Sequence, residues 1–449
     1  VRRLSRESSQ DPASLLASPS TYLFALKGLR ERHGLRADGF REPELSLAEL
    51  PRDADSELAA LLARAVSTEQ YRFSPVIQRR AFLGGKIRFV HRPALSDSIV
   101  LMALARVLSA MIEPWLSERV YSYRKGRSSL LAVRDLARFV RRHRRERKQL
   151  FQRGLFVLRR DVQGYGDSIP VDAASPLWPM LKQALERAGC SHDHLLQRLL
   201  PAALCPLVEQ DSGGYRRPAR GVPMGTPLQP PICNLYLGPV DAALSAYSGG
   251  YYARYGDDLL FAHPELEAAR EAAAALEREL TWLGLALSPT KCFDIYWNGA
   301  GRAGPGGFRG TTHVEYLGCR LSFSANLGLG RRKLRCLHRG LERRVRASAA
   351  LLAELPTATK LISLISVVNR ALDPEHELAL PEAAELSALV DDRQILAGLD
   401  RLIARVLAEV LSGRAGVRAF RSVPYRRLRE AGLVSLEARR RRAAFKQRP

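Results

Sequence analysis

One stretch limits the folds open to this chain more than any other: Tyr251-Tyr252-Ala253-Arg254-Tyr255-Gly256-Asp257-Asp258-Leu259-Leu260-Phe261. Apolar and β-prone residues flank Tyr-Gly-Asp-Asp, which predicts a β-hairpin with a tight four-residue turn containing Gly256. Two adjacent carboxylates at the tip of a turn repel each other unless a cation lies between them. A pair of Mg²⁺ ions suits such a tip, because Mg²⁺ takes oxygen ligands and substrate phosphates. Two such ions can clamp the attacking and leaving oxygens of a phosphoryl transfer. A solvated acidic turn is the other reading of the same residues, so the surrounding sequence decides.

The 449 residues leave room for two to four domains. A hydrophobic share of 46% is enough for real cores. The net charge is +24. Most of the cations are Arg, which can grip phosphate with two parallel hydrogen bonds. Nucleic acid is the expected partner, with a non-specific anionic surface as the alternative. No apolar run approaches the length of a spanning helix, which argues against a membrane, and no secretory signal pattern is present. Cys190, Cys205, Cys233, Cys292, Cys319 and Cys336 stand alone. That spacing argues against zinc ribbons and a disulfide framework, and fits reduced thiols in a cytoplasm.

Residues 1–70 read as a helical extension, with helix-like spacing over 20–34 and 46–66. From Tyr71 the character changes. Arg79 to His91 predicts a hairpin turning at Gly84-Gly85, with Lys86 and Arg88 on its second strand. Such a hairpin either covers phosphates or is merely solvated. An apolar helix follows over 96–116, then a basic, aromatic turn over 121–127. The helix over 130–147 ends in an Arg cluster, either a nucleic-acid track or a solvated face. Leu155 to Val162 predicts a strand that delivers Asp161 near its end. Pro170 suits the first turn of the next helix, with Asp167 or Ser168 as its cap.

Arg220 to Pro230 is a Gly/Pro-rich loop leading into an apolar helix over 231–247. After the acidic hairpin come a helix over 265–283, a short strand at 285–287 and another strand over 314–322. Strand, helix, hairpin, helix, strand is the order of a split βαβ, ferredoxin-like sheet, which brings Asp161 beside Asp257 and Asp258. From Gly330 on, the chain reads as helical and basic. Leu334, Leu337, Leu341 and Val345 form an apolar stripe amid Arg331, Arg332, Arg335, Arg339, Arg343, Arg344 and Arg346.

Taken in order, these stretches resemble a bacterial reverse transcriptase of the group II intron, retron and defence-associated kind. The resemblance spans about Tyr71 to Ser322. It rests on Gly85-Lys86-Ile87-Arg88 with Asp97 to Val100, Ser122 to Ser128, Asp161 to Pro170, Gly221 to Tyr236, Tyr255 to Asp258, Leu283 to Lys291 and Tyr316 to Gly318. It implies an α+β right-hand polymerase: fingers and palm over 71–329, with an antiparallel palm sheet, and a basic helical thumb and C-terminal region over 330–449. The implied activity is RNA-directed DNA synthesis from dNTPs on an RNA template with a nucleic-acid primer, often on a cognate noncoding or intron RNA.

By the same resemblance, Asp161, Asp257 and Asp258 form the catalytic, metal-binding centre for two Mg²⁺ ions, with Mn²⁺ as an alternative. Lys86 and Arg88 neutralise the triphosphate, and Tyr165, Gly166, Met224 and Gly225 line the nucleotide. Lys291 stabilises pyrophosphate or is a surface lysine. Arg124, Arg127, Arg335, Arg339 and Arg343 contact nucleic acid.

The sequence departs from the family pattern at three places. Met224 stands where Gln is common and Gln229 where Ser is common. Gly166 stands where an aromatic ring lies under the sugar and excludes a 2′ hydroxyl, with Tyr165 as a candidate replacement. No His/Cys-rich endonuclease pattern and no retron thumb signature is evident, so the subfamily stays open. An untemplated or ribonucleotide-tolerant polymerase in phage defence and a splicing maturase-like RNA-binding protein are the alternatives.

Overall fold

The computed structural model describes residues 12–34, 51–83, 86–146, 154–438 and 440. The chain divides into two compact units, residues 1–128 with 158–293 and residues 129–157 with 294–449.

In the first unit the helices Pro12–Ala17, Pro19–Gly34 and Asp55–Ser67 pack together. Leu16, Tyr22, Leu26, Ala59 and Val66 are buried among them, and Arg30 grips Asp55 through two nitrogens at 2.6 and 3.0 Å. The helix expected from residue 46 starts at Asp55; residues 46–50 lie outside the described residues. The helix Leu95–Ile112 corrects a sequence expectation. With the turn after it, Leu95–Trp115 is long and apolar enough to cross a membrane (mean hydropathy 1.7), but 67% of that stretch is buried within this chain. Its apolar residues point in nearly every direction because it is a core helix. Its buried Asp97 accepts hydrogen bonds from the Tyr71 hydroxyl at 2.5 Å and the Ser74 N–H at 3.0 Å, which pins the connector after residue 70.

The two strands of the basic hairpin form as expected, β1 (Val76–Leu83) and β2 (Lys86–Arg92); its turn at Gly84-Gly85 lies outside the described residues. Further along the chain come β3 (Leu155–Asp161), β4 (Val208–Glu209), β5 (Tyr215–Arg216), β6 (Tyr251–Tyr255) and β7 (Asp258–His263). One sheet has the order β2-β1-β4-β5, and in another β6, β7 and β3 are neighbours. The pair Tyr255–Asp258 closes the β6–β7 ladder, so the four-residue turn Tyr255–Asp258 forms as expected, with Gly256 and Asp257 at its two central positions. Gly256 has φ +66°, which glycine adopts without strain.

Other local readings change. Leu285 to Leu287 is no strand: only Leu287 makes a bridge, antiparallel to Val162. The helix expected over 231–247 is two, Gln229–Tyr236 and Gly238–Ser245, because Pro239 has no N–H to continue the first. Pro170 opens no helix. Gly164, at φ +55°, turns the chain as β3 ends, so the short helix Tyr165–Ser168 comes before Pro170, which bridges to Arg220. Its cap is Gly164, and the Ser168 hydroxyl donates to the Gln163 carbonyl. The helix Leu266–Trp282 matches expectation.

In the second unit, the stretch expected as a single strand is a hairpin. β8 (Phe293–Trp297) and β9 (Arg309–Thr311) pair in parallel, and β10 (His313–Tyr316), β11 (Cys319–Ser322) and β12 (Leu327–Leu329) form an antiparallel sheet. Leu317 and Gly318, both at positive φ, make the turn. Helices then dominate. Leu337, Leu341 and Val345 of the helix Arg331–Leu351 pack in one core with Leu364 and Val368 of Thr357–Ala371 and Leu399, Ile403 and Leu407 of Arg393–Ser412. Asp392 caps this last helix: its carboxylate accepts from the Gln394 N–H at 2.9 Å.

Candidate active site

Asp161 is the last residue of β3, and its neighbours fix it against the acidic turn. The Val162 N–H donates to the Asp257 carbonyl at 3.1 Å, and the Ser288 N–H donates to the Asp161 carbonyl at 2.8 Å. The two carboxylates therefore sit side by side, as the sequence predicts. Burial pushes the Asp257 carboxyl above its usual range, and the Asp161 charge adds to that rise; Lys291 and Arg88 pull it back. Lys291 Nζ donates to Asp161 Oδ2 at 2.7 Å. Two carboxylates and two cations are thus within electrostatic reach of one another.

Asp258 has a cationic partner of its own. Asp257 and Asp258 are consecutive, and β7 begins at Asp258. Asp258 Oδ2 faces Arg159 Nη2 at 3.4 Å. Burial raises its carboxyl, Arg159 opposes the rise, and the charges of Asp257 and Asp161 add to it. Among the described residues no group of three or more His, Cys, Asp or Glu could hold a metal ion. The expected carboxylates Asp161, Asp257 and Asp258 lie within electrostatic reach of one another, with Asp258 also facing Arg159. Two carboxylates still fit Mg²⁺ or Mn²⁺, since Mg²⁺ is commonly held by one or two carboxylates and completes its shell with water and substrate phosphates.

A buried polar network that the sequence reading did not assemble supports the turn. Arg254, fully buried on β6, grips Asp241 with Nε and Nη2, each at 2.7 Å. The Tyr252 hydroxyl also donates to Asp241, at 2.8 Å. Burial alone would favour a neutral guanidine, but Asp241 outweighs it and keeps Arg254 charged. Arg254 Nη2 donates to the Asn234 carbonyl at 3.1 Å and Nη1 to the Gly256 carbonyl at 3.3 Å. Asn234 Nδ2 donates to the Ser122 carbonyl at 2.9 Å, and the Ser122 hydroxyl accepts from the Gly256 N–H at 2.9 Å. Both polar groups of the Gly256 backbone are thereby held from beneath. One signal was available: an Arg within an apolar strand and an Asp within an apolar helix need each other once buried.

The remaining candidates divide. Arg88 is exposed on β2 and acts electrostatically on both Asp257 and Asp167. Lys86 opens β2, and its side chain lies outside the described residues. The Met224 carbonyl accepts from the His91 N–H at 2.8 Å, which docks the Gly221–Gly225 loop on β2. Gly225 has φ +97°, and a Cβ there would press on Val90 Cγ1 at 3.0 Å and the His91 carbonyl at 3.1 Å.

Tyr165 is turned away from the site: it is buried, and its hydroxyl donates to the Cys233 carbonyl at 2.6 Å. Arg124 is also corrected. Its guanidinium clamps Glu113 and the carbonyls of Ser117 and Val120, and its side chain is only 7% exposed, so it braces its own turn. Arg127 lies over the Tyr121 ring, 5.7 Å from its centroid. In the second unit Arg335, Arg339 and Arg343 are exposed at every fourth position of one helix.

Solved structures of yeast telomerases are similar in outline. The Candida albicans telomerase in complex with a fragment of telomeric RNA shares 13% identity at a TM-score of 0.44, over 82% of this chain and 68% of that one. Apo telomerase from Candida tropicalis truncated from its C-terminal domain gives 12% and 0.42, over 59% of this chain and 58% of that one. A second apo telomerase structure from Candida tropicalis gives 11% and 0.44, over 82% of this chain and 63% of that one. The chain thus spans between 58% and 68% of the length of these telomerases. No curated protein matches it in sequence. The family model for reverse transcriptase (RNA-dependent DNA polymerase) matches residues 84–321, a little over half of the 449. That span includes the Asp161–Asp257 pair, Arg88, Lys291 and the network beneath the turn, and the chain belongs to the reverse transcriptase family.

Proposed function

We propose that this protein is an RNA-directed DNA polymerase that extends a primer with dNTPs on an RNA template. The observation that carries the reading is the Asp161–Asp257 pair flanked by Lys291 and Arg88. Asp161 and Asp257 would hold Mg²⁺, two ions being our reading, with Mn²⁺ able to replace them. The bound ions would lower the charge barrier to phosphoryl transfer. Asp161 and Asp257 set where the primer 3′ oxygen and the α-phosphate meet. Arg88 and Lys291 offset negative charge on the triphosphate and on the departing pyrophosphate. The network under Gly256 keeps Asp257 in register with Asp161.

Within the family we read the chain as the bacterial group II intron, retron or defence-associated kind. The order of motifs from Gly85 to Gly318 and the basic helices after Gly330 support that reading. The partner would be a cognate noncoding or intron RNA. The free cysteines suit a reducing cytoplasm.

Extension of a labelled primer on matched RNA and DNA templates, with and without Mg²⁺, tests the activity. Mg²⁺-dependent, dNTP-fuelled extension on RNA is the expected result. Extension that ignores the template sequence would point to an untemplated polymerase, and RNA binding with no synthesis to a maturase-like role.

A further inference from the structure

Two of the positions where this sequence departs from its family's pattern, Gly166 and Gln229, lie against each other. A Cβ built on Gly166 would collide with Gln229 Nε2 and lie 3.5 Å from Gln229 Cδ. The turn therefore cannot carry a ring while Gln229 keeps its place. The carbonyl of Gly166 accepts from the Val222 N–H at 2.9 Å, so the loop that carries Gln229 is fastened to the turn that carries Gly166. Gln229 is partly exposed, and its side-chain amide makes no hydrogen bond with any described residue. The amide is neutral and bulky, so what it supplies at this turn is occupied volume rather than charge.

The surroundings say what that volume meets. Arg88 acts on both the Asp257 and the Asp167 carboxyls, so its cation reaches the metal-binding pair and the residue next to Gly166. On the polymerase reading, a nucleotide with its phosphates between Arg88, Lys291 and the Asp161–Asp257 pair would present its sugar toward the Gly166 turn, whose neighbour Asp167 also feels Arg88. Tyr165 cannot meet it, because its hydroxyl is committed to the Cys233 carbonyl inside the core.

We propose that Gln229 is the sugar-selecting residue of this polymerase: its amide lies over Gly166 and excludes a 2′ hydroxyl by occupying its space. The inference rests on the polymerase reading above. An amide on a rotatable stem yields more readily than a packed ring. Rejection of ribonucleotides is therefore modest, on the order of a hundredfold or less. Gly166 and Gln229 also form a coupled pair, in which a ring at 166 requires a small residue at 229.

Competing incorporation of dNTP and rNTP on one RNA template tests this in the wild type, Gln229→Ala, Gly166→Phe and the double variant Gly166→Phe with Gln229→Ser. Gln229→Ala is expected to raise the rNTP to dNTP ratio of kcat/KM by about tenfold. Gly166→Phe alone is expected to lose soluble yield or activity, and the double variant to recover it with stronger rejection of rNTPs than the wild type. A melting temperature for each variant separates misfolding from altered selection. An unchanged ratio in Gln229→Ala, with the wild type active on dNTPs, overturns the gate and leaves the polymerase reading intact. Equal damage from Gly166→Phe with either Gln or Ser at 229 overturns the coupling. No extension by the wild type with any nucleotide overturns the polymerase reading and this inference with it.

Discussion

Arg254 and Asp241 form a two-pronged ion pair in the interior, Nε to Oδ1 and Nη2 to Oδ2, each at 2.7 Å. The same guanidinium reaches the Gly256 carbonyl at 3.3 Å, so the pair is also a floor for the acidic turn. Removing one member leaves the other charged, buried and unpaired. Asp241→Ala should therefore lower stability by about 3–5 kcal/mol, read from urea unfolding. Arg254→Lys keeps the charge but not the fork. Its expected effect is a fall in kcat for primer extension larger than any rise in the KM for dNTP, because the turn loosens while the phosphate contacts remain. A normal kcat in a folded Arg254→Lys protein would make the pair a core contact only.

The raised Asp257 carboxyl gives a stability prediction with a definite sign. The folded protein holds this proton more tightly than the unfolded chain does, so the contribution is favourable at low pH and is lost as pH rises through the raised folded value. At neutral pH the ionised pair is a strain on the fold. In metal-free buffer Asp257→Asn should melt higher than wild type near about pH 7, and the gap should shrink toward about pH 4. The same proton competes with metal, so activity should fall on acidification earlier than an ordinary aspartate would dictate. A gap that is constant across that range would show that neither burial nor Asp161 raises the Asp257 carboxyl.

The exposed Arg335, Arg339 and Arg343 rise at every fourth residue from one helix face, the spacing that lines up side chains along a helix. Replacing all three by Gln should weaken binding of every primer–template sequence alike. The slope of log affinity against log salt should flatten by about two to three, through fewer displaced counterions. An unaltered slope would make this face solvent-facing charge.

Much of this architecture was legible in the sequence where one periodicity ran unbroken. The strands of the basic hairpin, the strand ending at Asp161 and the stripe Leu337, Leu341, Val345 all form as their spacing predicts. Boundaries failed where a single residue overrode the pattern: Gly164 turning the chain early and Pro239 splitting a helix. The pairing of Asp161 with Asp257 followed from strand order. The contact of Asp258 with Arg159 and of Tyr165 with the Cys233 carbonyl did not, because side-chain direction depends on tertiary partners distant in the chain. The contact of Gly166 with Gln229 was hidden for the same reason: 63 residues separate them in the sequence.

We propose that Asp161 and Asp257 carry most of the metal-dependent chemistry, with Asp258, which faces Arg159, contributing less. The most direct measurement is the rate of single-nucleotide primer extension on an RNA template across a Mg²⁺ titration, for Asp161→Asn, Asp257→Asn and Asp258→Asn beside wild type. The expected result is a loss of about a thousandfold or more in Asp161→Asn and Asp257→Asn, with primer–template binding retained. Asp258→Asn is expected to keep the wild-type Mg²⁺ midpoint and to lose far less rate. Near-normal extension by Asp257→Asn, or a Mg²⁺ midpoint that shifts most in Asp258→Asn, would contradict the account.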